Sequence, residues 1–199
     1  MAWAHICVDM QRLFSEKTPW HTPWLARITP AVCKLVAAHP AETIFTRFVP
    51  PRKTQDAHGA WRTYYERWES VTLDHVDPSI VDVIPELQRF VPPAILLDKA
   101  VYSPWLDGHL LAMLKERHVD TLVVSGGETD VCVLATVIGA IDHGFSVIVA
   151  RDALCSSRDE THDTSIELYE KRFSEQIKTL RVDEILSAWT EANGSDEAR

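Results

Sequence analysis

The chain has 199 residues, of which 46% are hydrophobic and 25% are charged, and its formal net charge at pH 7 is −9. These values are typical of a globular domain with a sizeable core. Because no Lys/Arg cluster interrupts the negative charge, we expect neither nucleic acid nor an anionic membrane surface as the main partner. No segment approaches the roughly 20 apolar residues of a membrane span, and the first residues read as a strand rather than a signal peptide, so we expect a cytoplasmic protein.

Short apolar runs alternate with segments of helical period. In chain order the predicted elements are a strand at Ile6–Val8, a helix at Trp24–Ala38, a strand at Thr43–Phe48, a helix at Ala60–Trp68, a strand at Ile95–Leu97, a helix at Leu106–Glu116, a strand at Thr121–Val124, a helix at Val131–His143, a strand at Ser146–Ala150, a helix at Asp159–Phe173, a strand at Ile177–Leu180 and a helix at Val182–Trp189. The alternation predicts an α/β fold in which a parallel sheet is covered by helices on both faces. We expect one domain over residues 1–191, followed by a polar, disordered tail over residues 192–199.

Cys132 follows an apolar strand and the Gly126-Gly127 break, and it lies at the start of an apolar helical stretch. The free N–H groups and the positive dipole end at such a place favour an anion. We therefore expect the pKa of this thiol to be lowered, so that part of it is thiolate near neutral pH. The other three cysteines are interpreted as structural, and since no CxxC pair occurs we expect free thiols.

Chemically active side chains follow several of the predicted strands. In parallel sheets function collects at the carboxyl ends of the strands, and Asp9, Lys99 and Cys132 all lie there. A carboxylate can take the thiol proton as a general base, while an ammonium favours the thiolate and anchors the carboxylate. Taken singly, each residue has a structural explanation, as a small buried apolar side chain, a turn cap or a solvated charge. As a set they indicate nucleophilic catalysis.

Three segments resemble motifs of the isochorismatase-like cysteine hydrolases. They are residues 7–14 (CVDMQRLF), 98–105 (DKAVYSPW) and 126–133 (GGETDVCV). Their order and spacing match the family over nearly the whole chain. The resemblance implies a Rossmann-like, three-layer α/β/α fold with a six-stranded, mostly parallel sheet. It also implies a hydrolase, since the family includes nicotinamidases, N-carbamoylsarcosine amidases and biuret or ureidoacrylate amidohydrolases.

The resemblance assigns a role to individual residues. It implies that Cys132 attacks a carbonyl, that Asp9 accepts the thiol proton and returns it to the leaving amine, and that Lys99 holds Asp9 and stabilises the thiolate. It places a cis peptide at Gly127–Glu128, with the backbone N–H groups of Glu128 and Cys132 forming an oxyanion hole. The two residues after Glu128 are predicted to cap the following helix.

Aromatic residues are expected to form the walls of the pocket. Phe14, Trp20, Tyr102 and Trp105 lie in or near the motifs, and we predict that they contact substrate. The aromatic residues of the Ala60–Trp68 helix recur on one face, a spacing that favours a core or a subunit interface over a pocket.

The resemblance is incomplete at the metal motif. Nicotinamidases carry an Asp-x-His pair after the second strand, and the corresponding stretch here, residues 46–51 (TRFVPP), has none. Asp56 and His58 form a similar pair only beyond a Pro-Pro break, and a metal site needs more ligands. We therefore predict no cofactor and no metal, and nicotinamidase or isochorismatase-type activity is a less favoured alternative.

The sequence thus predicts a metal-independent cysteine hydrolase that cleaves a C–N bond of a small amide, ureide or carbamoyl compound. The main alternative is a non-catalytic member of the same fold that binds a small ligand or a protein. A nucleotide-binding protein is disfavoured because there is no GxGxxG and no Walker-type Lys-Ser/Thr. Because the family often forms dimers or tetramers, the resemblance also implies a homo-oligomer.

Overall fold

The computed structural model describes residues 2–196. Six strands form one parallel sheet in the order β3-β2-β1-β4-β5-β6. The strands are β1 (Ala2–Val8), β2 (Thr43–Phe48), β3 (Ile95–Lys99), β4 (Val119–Gly127), β5 (Ser146–Cys155) and β6 (Ile177–Leu180). The predicted α/β fold with a six-stranded parallel sheet is confirmed.

Helices cover both faces of this sheet. They are α1 (Arg12–Ser15), α2 (Leu25–Ala38), α3 (Ala60–Arg67), α4 (Pro85–Gln88), α5 (His109–Glu116), α6 (Leu134–Asp142), α7 (Asp159–Arg172) and α8 (Val182–Asp196). Helices α2, α4 and α8 share one apolar core with the sheet, and α5, α6 and α7 share the other. No helix within residues 2–196 combines the length and the apolar character that crossing a bilayer requires.

The central strands supply both cores. Ile6 and Val8 of β1 belong to the core under α5, α6 and α7, whereas Cys7 between them belongs to the core under α2 and α8. Side chains alternate across a strand, so a strand buried on both faces needs an uninterrupted apolar sequence. This is why the short apolar runs in the sequence identified the strands.

The observed elements differ from the predicted ones mainly at their ends. Strands β4 and β5 continue to Gly127 and Cys155, beyond the apolar runs, and α2 begins one residue late with no side-chain cap. The helix predicted at Val131–His143 is divided into a π-helical turn, Thr129–Val133, and α6. Helix α8 extends to Asp196, so residues 192–196 are helical rather than disordered, and residues 197–199 lie outside the described part.

A fully buried histidine ties three strands together. Nδ1 of His5 lies 3.1 Å from the Thr43 hydroxyl on β2, and Nε2 lies 2.8 Å from the Ser125 hydroxyl on β4. Thr43 donates its only hydroxyl proton to the carbonyl of His39, so Nδ1–H of His5 must be the donor to Thr43. Nε2 of His5 therefore accepts from Ser125. Burial lowers the pKa of His5 to about 3, because an imidazolium there would lose its hydration and its acceptor role.

Protonation of His5 should make stability depend on pH. The histidine pKa is lower in the folded state than in the unfolded state, so its contribution is complete above pH 6.5 and declines as the pH falls toward 3. We expect the free energy of unfolding to be about 2 kcal/mol lower at pH 5 than at pH 7 from this group alone. Urea unfolding of the wild type and of His5→Gln at both pH values measures it, since the variant should lose this part of the pH dependence. Equal pH dependence in the two proteins would contradict the assignment.

Candidate active site

Asp9 occupies the position directly after β1, where the strand meets the site. Its backbone has φ of 50°, a left-handed conformation that is uncommon for a residue with a side chain. The carboxylate is 1% exposed; Oδ1 accepts a 2.6 Å hydrogen bond from the Thr46 hydroxyl and Oδ2 a 2.7 Å bond from Lys99 Nζ. The local backbone and two donors therefore hold this carboxylate in one orientation.

Lys99 ends β3 and reaches across β2 to Asp9. Its ammonium group also donates to the carbonyl of Val101 at 3.2 Å and lies 5.0 Å from the ring centroid of Phe48. Burial by itself lowers the pKa of Lys99, but the negative charges of Asp9 and of a Cys132 thiolate outweigh it, and the net pKa is raised. The lysine is therefore a permanent cation in the site.

Cys132 lies in the π-helical turn that follows β4, and its thiol interacts with both Asp9 and Lys99, which shift its pKa in opposite directions. The residue is 6% exposed; it belongs to the edge of the apolar core under α5, α6 and α7 and also lines a cavity. Burial and, after it, the charge of Asp9 raise the thiol pKa well above its usual value, although Lys99 opposes them. The prediction of a lowered thiol pKa is wrong, because the loss of hydration outweighs the helix terminus and the lysine.

The loop between β4 and Cys132 has the backbone that the resemblance implies. The Gly127–Glu128 peptide is cis. The carbonyl of Glu128 accepts from the N–H groups of Val131 and Val133, whereas, within residues 2–196, its own N–H donates to no backbone carbonyl. That N–H is therefore available to a ligand.

Thr129 and Asp130 do not cap the helix, contrary to the prediction. The Thr129 hydroxyl donates to the carbonyl of Cys155, and Asp130 accepts from the Ser156 hydroxyl, so both side chains are engaged by the segment after β5. The π-helical turn has no side-chain cap at all.

The cavity beside Cys132 has a volume of about 390 Å³ and is mainly aromatic. Three of the four predicted wall residues line it: Phe14, Trp20 and Tyr102. Trp105 does not. Its indole N–H donates to the carbonyl of Thr136 at 2.9 Å, and its ring packs against Gly139, where even a methyl group would lie within 2.2 Å of it. The prediction of Trp105 as a pocket residue is wrong, because the chain turns after Tyr102 and directs this ring into the core.

Several residues of the cavity were not predicted from the sequence. Tyr64 and Trp68 of the α3 region, together with Phe48, complete its walls, whereas the helix face was assigned to a core or an interface. The spacing of the aromatic residues identified a shared face, but spacing does not reveal what that face contacts. The same face also forms a small core around the buried ring of Tyr65, as one of the two predicted alternatives, and the subunit interface and the oligomeric state stay predictions.

Three ionisable residues also border the cavity: His21, Glu128 and Arg158. Oε1 of Glu128 accepts from the N–H of Ser157 at 2.8 Å, which neutralises part of its charge. Neither His21 nor Arg158 lies within ion-pair distance of a carboxylate in the described part of the chain. Nothing in the sequence around Arg158 distinguished it, since the loop after β5 reaches the site only in three dimensions.

Asp56 and His58 lie apart from this cavity. They border a second, larger cavity of about 800 Å³, which Lys99 also lines. Among the described residues, no cluster of three or more His, Cys, Asp or Glu side chains has the arrangement to hold a metal ion.

The family model for the Isochorismatase domain matches residues 3–180. The chain belongs to the isochorismatase family. A cysteine hydrolase structure from Pseudomonas syringae pv. phaseolicola 1448A is similar over 93% of this chain and 91% of that one, with a TM-score of 0.79 and 25% identity.

Two curated proteins are similar to parts of this isochorismatase-family chain. It is 29% identical over 86 residues to an uncharacterized isochorismatase family protein, PncA, of Bacillus subtilis strain 168, which covers 43% of this chain and 47% of that protein. It is also 29% identical over 72 residues to maleamate amidohydrolase of Pseudomonas putida strain KT2440, which covers 36% of this chain and 34% of that protein. The matches thus span about half the length of these relatives or less.

In this isochorismatase-family protein, Gly126 of β4 pairs with Val8 of β1 and leaves no room for a side chain. It has φ of 107°, and a Cβ atom there would lie 2.0 Å from the carbonyl oxygen of Val8, the residue before Asp9. We expect Gly126→Ala to lower the free energy of unfolding by at least about 2 kcal/mol, since backbone strain and a backbone clash add. Chemical denaturation measures it.

Gly144→Ala is the matched control for Gly126→Ala. Gly144 also has a positive φ, 86°, but a methyl group there would have no atom within 4 Å, so only conformational strain is expected. Equal losses in the two variants would show that the contact between the strands is not the cause.

Proposed function

We propose that this isochorismatase-family protein is a cysteine hydrolase that cleaves the C–N bond of a small amide, ureide or carbamoyl compound. The observation that carries the proposal is the cluster of Asp9, Lys99 and Cys132, of which Cys132 lines an aromatic cavity. The family and the similar cysteine hydrolase structure support hydrolysis as the reaction class.

The first half of the proposed reaction forms an acyl-enzyme. Asp9 takes the proton of the Cys132 thiol, and the sulfur attacks the carbonyl carbon of the substrate. The N–H groups of Glu128 and Cys132 are proposed to stabilise the negative oxygen that forms. Collapse of this intermediate breaks the C–N bond, and Asp9 returns the proton to the departing amine, which leaves a thioester on Cys132.

The second half releases the acid. Asp9 takes a proton from a water molecule, which attacks the thioester carbonyl, and the sulfur leaves as a thiol once it is protonated again. One amide and one water thus give one acid and one amine. Lys99 remains charged throughout and keeps Asp9 oriented, because its ammonium lies 2.7 Å from the carboxylate.

The raised pKa of Cys132 supports a base-dependent mechanism over a resting thiolate. A thiol whose pKa is raised by burial stays protonated at neutral pH, so it becomes a nucleophile only when a neighbouring base removes its proton. Asp9 is the carboxylate in contact with that thiol.

The cavity favours a small substrate that carries an anionic group. Its volume of about 390 Å³ suits a small molecule, and its aromatic walls suit a planar amide. Arg158 contributes a guanidinium that is not paired with a described carboxylate, a group that binds carboxylates well. Maleamate, named for the Pseudomonas putida relative, is such a compound.

A non-catalytic binding protein is the second candidate. The observation that favours it is the burial of the Cys132 thiol, which raises the pKa of the thiol and makes it a poor nucleophile unless Asp9 removes its proton. Acid quenching during turnover, followed by mass spectrometry, distinguishes the two, because only the hydrolase gains the mass of an acyl group on Cys132.

Replacement of the proposed nucleophile and base should abolish turnover. We expect Cys132→Ala to remain folded and to show no hydrolysis, and Asp9→Asn to lower kcat by about 10²–10⁴-fold. The assay is ammonia release from a panel of small amides, ureides and carbamoyl amino acids, with and without a chelator to test metal independence. Cys33→Ser is the control, since this half-buried cysteine lies outside the cavity. Full turnover by Cys132→Ala would refute the proposal.

Replacement of Arg158 should change selectivity rather than chemistry. We expect Arg158→Gln to raise KM for carboxylate-bearing amides by about 10–100-fold, the value of a hydrogen bond to a charged group, and to leave neutral amides of similar size unaffected. Steady-state kinetics on both substrate types measure this. Arg151→Gln is the matched control, because Arg151 is exposed and borders a different cavity. An equal effect on both substrate types would argue against an anion subsite.

A further inference from the structure

Every residue between the cis peptide and Val131 is held by the end of β5, by the segment that follows it or by α7. Oε1 of Glu128 accepts from the N–H of Ser157 at 2.8 Å, and Oδ1 of Asp130 accepts from the Ser156 hydroxyl at 2.5 Å. Thr129, between them, is fully buried. The loop that carries the proposed oxyanion-hole N–H groups is therefore positioned by hydrogen bonds to other segments of the chain.

Thr129 makes the largest number of these contacts. Its hydroxyl lies 3.0 Å from the carbonyl of Cys155 and 2.8 Å from Nδ1 of His162, and its carbonyl accepts a 3.1 Å hydrogen bond from the Tyr169 hydroxyl. His162 and Tyr169 both belong to α7. Helix α7 thus contacts Thr129 through both its side chain and its backbone.

The direction of the bond to His162 follows from counting protons. The Thr129 hydroxyl has one proton, and it donates that proton to the carbonyl of Cys155. The hydroxyl oxygen can therefore only accept from His162, so Nδ1 of the imidazole carries the proton. Since an imidazolium also carries a proton on Nδ1, the bond persists in either charge state of the ring.

His162 does not border the cavity that contains Cys132. Its ring lies beside a separate small cavity of about 100 Å³, together with Trp24, Ser156, Asp159 and Asp163. Its hydrogen bond to the loop that carries Cys132 is the one to Thr129.

We infer that His162 is a positioning residue, which holds Thr129 so that the N–H groups of Glu128 and Cys132 stay directed at the developing oxyanion. The inference rests on the proposed cysteine hydrolase function. Thr129 directly follows Glu128 and precedes Cys132 by three residues, so rotation of its backbone would move both N–H groups. Those groups act on the transition state more than on the bound substrate, so misplacing them should lower kcat and leave KM nearly unchanged.

Three replacements of His162 test the inference. In His162→Asn the Nδ2 donor lies where the imidazole had Nδ1, and in His162→Gln the Nε2 donor lies where the imidazole had Nε2. Leu offers no donor. We expect His162→Leu and His162→Gln to lower kcat by about 10–100-fold, the cost of misaligned donors, and His162→Asn to stay near the wild-type value. His109→Leu is the control, because its side chain is 77% exposed.

The readout is kcat divided by the concentration of active sites. These are counted by acid-quench mass spectrometry as the sites that gain an acyl group on Cys132, so that a smaller amount of folded protein is not mistaken for a lower kcat. Should His162→Leu fail to fold, Thr129→Val and Thr129→Ser provide the same comparison, with loss of kcat expected only for the valine. A wild-type kcat in His162→Leu or Thr129→Val would overturn the inference, as would an equal loss in His162→Asn. Failure of the proposed function is separate, since it would appear as full activity in Cys132→Ala.

Discussion

Lys99 and Asp9 place opposite charges 2.7 Å apart at a point from which water is almost excluded. Either charge alone would be costly to bury, and each is stabilised here by the other and by additional hydrogen bonds from Thr46 and to Val101. Burial has the largest effect on the pKa of the Cys132 thiol, and the pair acts on it next. The carboxylate raises the thiol pKa and the ammonium lowers it, so the sulfur lies between a proton acceptor and a cation that stabilises its anion.

The order of the strands creates this pair. Asp9 leaves β1 and Lys99 ends β3, while β2 lies between these strands and supplies Thr46 to the carboxylate. On the other side of β1, the close approach of Gly126 to Val8 brings the end of β4 next to Asp9. The carboxyl ends of neighbouring parallel strands meet at one edge, which is the place where such sheets carry their sites.

The surrounding segments form the walls of the cavity and hold the loop before Cys132. The α3 region supplies Tyr64 and Trp68 to the walls, and the segment after β5 supplies Arg158 to the rim. The same segment, with α7, holds residues 128–130 from behind. The reacting residues are therefore surrounded by loops and helices that pack in other parts of the molecule. In such an arrangement the site stays rigid while the residues of its walls can vary.

Local patterns in the sequence predicted the structure correctly wherever one physical constraint acts on neighbouring residues. The apolar runs located all six strands because the inner strands are buried on both faces and the edge strands in part, and the three motifs located Asp9, Lys99 and Cys132. The same patterns did not predict the surroundings of a side chain where segments distant in the sequence determine what it contacts. Trp105 and Tyr102 stand three residues apart in one motif, yet one is in the core and the other in the cavity.

The amino-acid sequence by itself thus determined the family, the sheet and the identity of the three polar residues at the strand ends. Only the tertiary structure decided which aromatic rings face the cavity, that Arg158 reaches it, and that the Cys132 thiol is protonated at rest. The reason is that hydration and packing depend on every segment that approaches a group in space, whereas a motif records only its neighbours along the chain.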